Sequence, residues 1–473
     1  MPLTVDQAAQ KIHNLVQDDG FWGTSRNDHM HEVRDLLKQY SPADANAIIS
    51  KLSEGDLHGL ADDVNSGGIF GAQGLSGDEK RDMFNDLAKE LDGTQLGRLA
   101  NAFSDRGDVL ALSDSVATFG SGQAKVDYVK AIAAHSTDRE AKIDTGFGYS
   151  STTFGDKEAI GIGKVLASLK NDPASFNAAV TALSPEQLAS VVKAGEGERM
   201  TSYSGGMGVS QPQTTFDPAG LRGILDAAAN SSHPVVKARV FTAATTALSD
   251  IRGSDTLLTP NPSAGDAAKV VAEGLTKVMD SDTRGIVNEL NNRDASGKAL
   301  TTYLQEVIKE DPNSTNPAIG RQIAALQGAG TGMSAAQYIN TPEKTANGDS
   351  FYRNAQNLGY YSGAVQAGIN KMNADDKTKG DILSNVFSTA ITVGTTAITK
   401  MPTSGKIASG IFNGLTKEAL REIVADVSAG RKSLRDALSE MALPKDPGAT
   451  NRYRGPADPF FQGAANTVVL ANQ

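Results

Sequence analysis

The sequence predicts a mainly α-helical chain, an elongated array of helical hairpins or repeats carrying one or two short β-hairpin loops. Three observations predict it. Apolar residues recur at helical spacing in one segment after another, and the starts of those segments carry capping signals. In addition, the string Thr152-Thr153-Phe154-Gly155-Asp156 returns, slightly altered, as Thr214-Thr215-Phe216-Asp217. Each copy ends a Gly/Ser/Tyr loop and opens a helical pattern, the layout of a repeated unit that presents loops.

The helix starts are explicit. Ser41-Pro42, Ser184-Pro185 and Asp217-Pro218 each place a capping oxygen before a proline at the first helical position, where the missing N–H costs nothing. Ser76-Gly77-Asp78-Glu79 and Ser184-Pro185-Glu186-Gln187 fit the capping box. After the first of these, Met83, Phe84, Leu87 and Leu91 fall on one face, predicting a helix over 77–91. The same spacing holds for Ile48, Ile49 and Leu52, for Leu188, Val191 and Val192, and for Leu221, Ile224 and Leu225.

The repeat has a second, looser support, since Lys125 to Ala133 can be laid over Lys237 to Ala244. Two unrelated amphipathic helices would also look alike. The loop copies lie 62 residues apart, which predicts a unit of two or three helices plus a loop. The loops themselves, 145–151 and 201–210, mix glycine with residues that tolerate extended backbone, so each is expected to form a short hairpin. Their candidate partner-binding residues are Phe147, Tyr149, Phe154, Tyr203, Met207 and Phe216. A solvated loop without a function is the competing reading.

Domain boundaries follow the turn signals: a helical segment over 1–140, helical repeats with the two loops over 141–253, a helical region over 254–345, a C-terminal helical segment over 346–440 and an extended tail over 441–473. The connector at 254–265 holds Pro260, Pro262 and Gly265, and Asp311-Pro312 and Thr341-Pro342 mark further breaks. From Asn354 the texture shifts to small residues, with Gly359-Tyr360-Tyr361-Ser362-Gly363 entering a helix. The tail prediction rests on Pro444, Pro447, Gly448, Pro456 and Pro459.

Composition narrows the function classes. Aromatics make up 5% of the 473 residues against 48 glycines, which favours helices packed through small side chains. With Lys+Arg 45 against Asp+Glu 55, the net charge of -10 argues against a nucleic-acid binder. The absence of cysteine removes disulfides, thiolate nucleophiles and zinc ribbons. No cofactor motif is read: Gly161-Ile162-Gly163-Lys164 lacks the upstream glycine and following hydroxyl of a phosphate loop. The start, Met1-Pro2-Leu3-Thr4-Val5-Asp6, shows no cationic stretch followed by an apolar run. Synthesis in a bacterial cytoplasm is expected, with any export by a leaderless route.

Four groups are candidates for chemistry or membrane contact. His29 and His31, within Asn27-Asp28-His29-Met30-His31-Glu32, are two apart, which on a helix separates them, whereas a zinc pair needs three or four; Asp28 is the expected N-cap there. His135 and His233 lie beside expected helix ends and read as polar surface residues. Glu196 and Glu198 flank Gly197 at the base of the second loop, where two carboxylates could do acid-base work if the backbone turned them together, giving a hydrolase alternative. The charge-free run 382–399 and the apolar stretch 407–415 form a candidate membrane element, with Phe387, Ile391, Val393, Ile398, Ile407, Ile411 and Phe412. Its many serines and threonines favour a buried helix, and a conditionally inserting pore-forming hairpin is the alternative.

Asn65-Ser66-Gly67-Gly68-Ile69-Phe70-Gly71, Phe84-Asn85-Asp86-Leu87-Ala88, Leu91-Asp92-Gly93-Thr94-Gln95-Leu96 and Ala355-Gln356-Asn357-Leu358-Gly359-Tyr360 resemble segments of large, mostly helical bacterial proteins deployed as secreted effectors or polymorphic toxins. The segment from Gly23 to Leu52 is also similar to an annexin-type helical repeat, without calcium ligands. The effector resemblance implies a scaffold that binds a protein partner, a target, an immunity protein or a secretion chaperone or adaptor.

Overall fold

Serine hydroxyls start several of the helices as the capping signals predict. The Oγ atoms of Ser41, Ser76 and Ser184 accept the backbone N–H groups of Asp44, Glu79 and Gln187, and the last two close reciprocal capping boxes. In the computed structural model the described residues are 3–17, 26–65, 75–103, 105–135, 141–144, 150–154, 157–195, 199–202, 213–254, 261–310, 318–372, 375, 377–382, 384, 417–443 and 455–473. They are mainly α-helical and divide into two compact units, Met1–Val236 with Asp250–Ala267, and Lys237–Ser249 with Ala268–Gln473.

Unit 1 begins with α1 (Val5–Gln17), α2 (Arg26–Leu37), α3 (Pro42–Ser50), α4 (Glu54–Asn65), α5 (Gly77–Glu90), α6 (Gly93–Ala102), α7 (Arg106–Phe119) and α8 (Gly122–His135). A hairpin, β1 (Ala141–Asp144) and β2 (Ser150–Phe154), leads to α9 (Lys157–Ser168), α10 (Pro173–Ala182) and α11 (Pro185–Ala194). A second hairpin, β3 (Arg199–Ser202) and β4 (Gln213–Thr215), leads to α12 (Ala219–Asn230) and to α13 (Pro234–Gly253), of which the stretch Lys237–Ser249 belongs to unit 2. Here each helix packs on the one two places further along: α3 on α5, α4 on α6, α5 on α7, α6 on α8, α7 on α9 and α8 on α10. The result is a two-layer serial stack, the helical array expected from the sequence.

Small residues let the layers approach. Gly93 sits so close to the Ala124 carbonyl that a Cβ there would overlap it, and Gly97 stands in the same relation to the Ala131 methyl. One turn apart on α6, the two glycines form a groove for α8. The apolar positions read from the sequence line the core: Ile48, Met83, Phe84, Leu87, Leu188, Val192, Leu221, Ile224 and Leu225 are all buried, and Phe84 meets Phe103 edge to face at 5.5 Å.

Unit 2 is organised differently. It contains α14 (Pro262–Ser281, from Ala268 onward), α15 (Thr283–Arg293), α16 (Lys298–Glu310), α17 (Ala318–Leu326), α18 (Ala335–Ile339), a small ribbon of β5 (Glu343–Lys344) and β6 (Ser350–Phe351), α19 (Arg353–Asn370), α20 (Lys417–Ser428), α21 (Leu434–Ala442) and α22 (Asp458–Ala471). The hub is α19, buried at every residue from Asn357 to Ile369 and packed by α15, α16, α17, α18, α21 and α22. A helix with no polar face must be surrounded. Its small residues Gly359, Gly363, Ala364 and Gly368 keep the neighbours near.

Three sequence expectations are corrected. Residues 458–471, expected as part of an extended tail, form α22, with Phe461, Ala465 and Val468 buried at helical spacing. The prolines misled because Pro459 stands in the first turn, where a helix tolerates proline, and the twelve residues after it are proline-free. Helix α12 starts at Ala219, so Pro218 precedes it rather than opening it, and Asp217 Oδ1 accepts the Ala219 N–H at 3.1 Å. Helix α2 starts at Arg26, which places Asp28 inside the first turn and not at the cap.

Candidate functional site

The two hairpins that the sequence presents separately are joined in one sheet. Its order is β1-β2-β3-β4, with every neighbouring pair antiparallel. The strands carry several threonines, β-branched residues suited to extended backbone. One register row crosses all four strands, Ile143 to Thr152 to Met200 to Thr215. The register also fixes where the connecting segments leave. Asp144 pairs with Ser151, Ser150 with Ser202, and Ser202 with Gln213. Both loop segments, 145–149 and 203–212, therefore start and finish at the same end of a single sheet.

The helices that flank the hairpins are tied to one another. The Gln187 side chain of α11 donates to the Ala133 carbonyl near the end of α8, at 2.5 Å. The Leu221 N–H of α12 donates to the Gly195 carbonyl at 2.9 Å, closing the chain across the β3–β4 excursion. Gly195 caps α11 in the right-handed region, and a Cβ there would crowd the Leu221 backbone at 3.0 Å.

Of the six partner-binding candidates, Phe147, Tyr149, Tyr203 and Met207 lie outside the described residues. Phe154 is the last residue of β2. Phe216 is 8% exposed, and its backbone N–H donates to Ser263 Oγ at 3.3 Å. The ring is spent in the core of unit 1 because it follows β4 directly, where the chain turns back into the helical layers.

The remaining chemical candidates resolve as follows. His29 is buried, with its Nδ1 unpartnered among the described residues, while His31 faces Glu79 at 3.3 Å from α5. The pair is thus split, as a spacing of two on a helix requires. His233 is exposed and sits at the N-cap position of α13 without a side-chain cap bond; His135 ends α8. Glu196 and Glu198 lie outside the described residues, as do Phe387, Ile391, Val393, Ile398, Ile407, Ile411 and Phe412. Among the described residues no helix is long and apolar enough to cross a membrane, and no cluster of three or more His, Asp or Glu could hold a metal.

Two arrangements had no signal in the sequence. In the first, Asp56 accepts from Ser53 Oγ at 2.8 Å and from the Ser53 N–H at 3.0 Å, and its other oxygen lies 2.6 Å from His13 Nδ1. Burial pushes the Asp56 carboxyl up, but the Ser53 and His13 hydrogen bonds outweigh it and hold the group below the usual carboxylate range. This carboxylate orients the imidazole and pins α1 to α4. In the second, inside unit 2, Tyr361 O–H donates to Gln322 Oε1; Gln322 Nε2 donates to Tyr303 Oη at 2.9 Å and to Asp280 at 2.8 Å; Tyr303 O–H donates to Thr276 Oγ1 at 3.1 Å; and Thr276 O–H donates to the Ala272 carbonyl at 2.9 Å. Both tyrosines are fully buried, and burial drives their hydroxyls well above the ordinary phenol range. They remain neutral donors, and their role is to fix four helices by a directed chain of hydrogen bonds. The members come from α14, α16, α17 and α19, so no local pattern announces them.

No protein-family model matches the chain, and no curated protein matches it.

Proposed function

We propose that this chain is a helical scaffold of a bacterial secreted effector that grips a protein partner with two loops held side by side. The pairing of Ser150 with Ser202 carries the reading, because it brings the ends of segments 145–149 and 203–212 to one end of one sheet. Those segments supply Phe147, Tyr149, Tyr203 and Met207 among glycines and serines. Aromatic and methionine side chains interspersed with small residues are the composition of a recognition surface. The stack beneath supplies a rigid base, so that two contacts act as one site.

The partner classes that fit are a target protein, an immunity protein or a secretion chaperone. The test is affinity capture of the tagged full chain after cross-linking in the producing bacterium and in the cells it contacts. Two variants are compared with the parent, Phe147→Ala/Tyr149→Ala and Tyr203→Ala/Met207→Ala. The expected result is that the same protein is depleted from both captures. An identical captured set from parent and both variants would sink the proposal. Export is followed separately, by measuring the chain in the medium of intact cells.

A further inference from the structure

Unit 2 carries a cleft that none of the sequence motifs indicates. It has a volume of about 260 Å³ and lies between α15, α19 and α22. Its polar lining residues are Asn291, Gln356 and Thr467, the last with its hydroxyl donating to the Gly463 carbonyl at 2.9 Å; Phe460 is its aromatic residue, and Gly463 and Ala464 are the small ones on the α22 side. No charged side chain lines it among the described residues.

Two features show that these groups are held in place. Asn357, buried at 6% exposure, accepts from Asn291 Nδ2 at 2.9 Å and donates to Asn288 Oδ1 at 3.2 Å. This ladder fixes the Asn291 amide and leaves its Oδ1 without a partner among the described residues. The Gln356 amide has none there either. Phe460 is clamped by two rings, meeting Phe351 edge-on at 5.2 Å and Tyr352 at 5.4 Å, so its plane is set before any ligand arrives.

We propose that this cleft binds an uncharged saccharide unit, with the Phe460 ring against the C–H face of the sugar and the Asn291 and Gln356 amides on its hydroxyls. The chemistry selects that class. An ionic ligand would meet no counter-charge. A purely apolar one would strand two carboxamides. A carboxamide both donates and accepts, as a sugar hydroxyl does, and a fixed aromatic face matches the apolar side of a pyranose. The volume, just under the range for drug-sized ligands, suits one ring rather than a long chain.

The test uses the full chain and saturation-transfer NMR with glucose, N-acetylglucosamine and their β-linked disaccharides, beside a terminally blocked alanine tetrapeptide. The blocking variant is Gly463→Leu. A Cβ at Gly463 meets nothing within 4 Å, and leucine in mid-helix is a better helix former than glycine, so the fold should melt at the same temperature or higher while the cleft is filled. The expected result is transfer to ring protons of at least one sugar, abolished in Gly463→Leu and weakened roughly five-fold in Gln356→Ala, the loss of about one hydrogen bond. Transfer to no sugar overturns the proposal, as does sugar transfer unchanged in both variants. Transfer to the tetrapeptide alone overturns it in favour of a peptide groove.

Discussion

Gly359 of α19 lies directly against the Phe461 carbonyl of α22, with no room for a Cβ between them. One turn on, a Cβ at Gly363 would stand 2.6 Å from the Ala465 carbonyl. Two glycines four apart thus form a flat track on which the last helix of the chain lies. Gly359→Ala should destabilise unit 2 by about 1–3 kcal/mol, although alanine is intrinsically the better helix former by about 1 kcal/mol. Gly463→Ala, on the open side of α22, should shift stability slightly the other way. Urea unfolding followed by circular dichroism checks both, and equal midpoints for the two variants would contradict the close approach.

The same packing predicts that deleting 458–473 is costly. A dangling tail could be removed without effect, whereas here the deletion would uncover the glycine track and much of α19. The expected outcome is a lower melting temperature and bound hydrophobic dye, read by a thermal shift assay; an unchanged melt would mean that α22 contributes nothing.

Tyr361→Phe should lower stability by about 1–3 kcal/mol, because it leaves Gln322 Oε1 buried without its donor. Ring volume is kept, so the loss reports the hydrogen bond. A change within the scatter of surface substitutions, measured by chemical denaturation, would show that the network adds no stability.

Asp56 gives a pH dependence. Its carboxyl titrates lower in the folded chain than an ordinary aspartate does, so the unfolded state binds the proton first. Its stabilisation is fully present above the unfolded pKa and is lost as pH falls through the folded pKa. Asp56→Asn should therefore lower stability at neutral pH and flatten the acid limb of the stability profile below about pH 4. Acid titration of the far-ultraviolet signal for parent and variant measures this; coincident acid limbs would remove the linkage.

The joined sheet is tested by chemistry the parent chain lacks. It contains no cysteine, so Ser151→Cys/Thr201→Cys, placed at register partners, should cross-link within one molecule on mild oxidation. Thr153→Cys/Thr201→Cys, two places out of register, should cross-link far less. Peptide mapping by mass spectrometry distinguishes them, and equal yields would dissolve the β2–β3 pairing.

What the sequence discloses is local, and what it hides is long-range. Ser76 and Glu79 are three residues apart and announce α5; Met83, Phe84 and Leu87 announce its buried face. Thr152 to Phe154 and Thr214 to Phe216 mark the outgoing strand of each hairpin, yet nothing in either string says that Ser150 will pair with Ser202, because three helices intervene. Phe216 looked like a loop residue for the same reason: its burial depends on Ser263 and the helical layers. His13 and Asp56 meet across 43 positions, Tyr303 and Gln322 across 19, and Asn291 and Asn357 across 66. Proline count failed at the C-terminus because a proline in the first turn and one in a coil read alike until the burial of Phe461 is known.

The step-by-two packing of unit 1 has a consequence for how it comes apart. A globule melts as a whole, but a row in which every member leans on near neighbours can fray from one extremity while its middle persists. Amide exchange should then rise in a gradient toward α1, with α7 to α10 slowest, and calorimetry should show a broad transition rather than one sharp peak. The hairpins are inserted between α8 and α12, so the sheet would keep its footing even while the leading helices open and close.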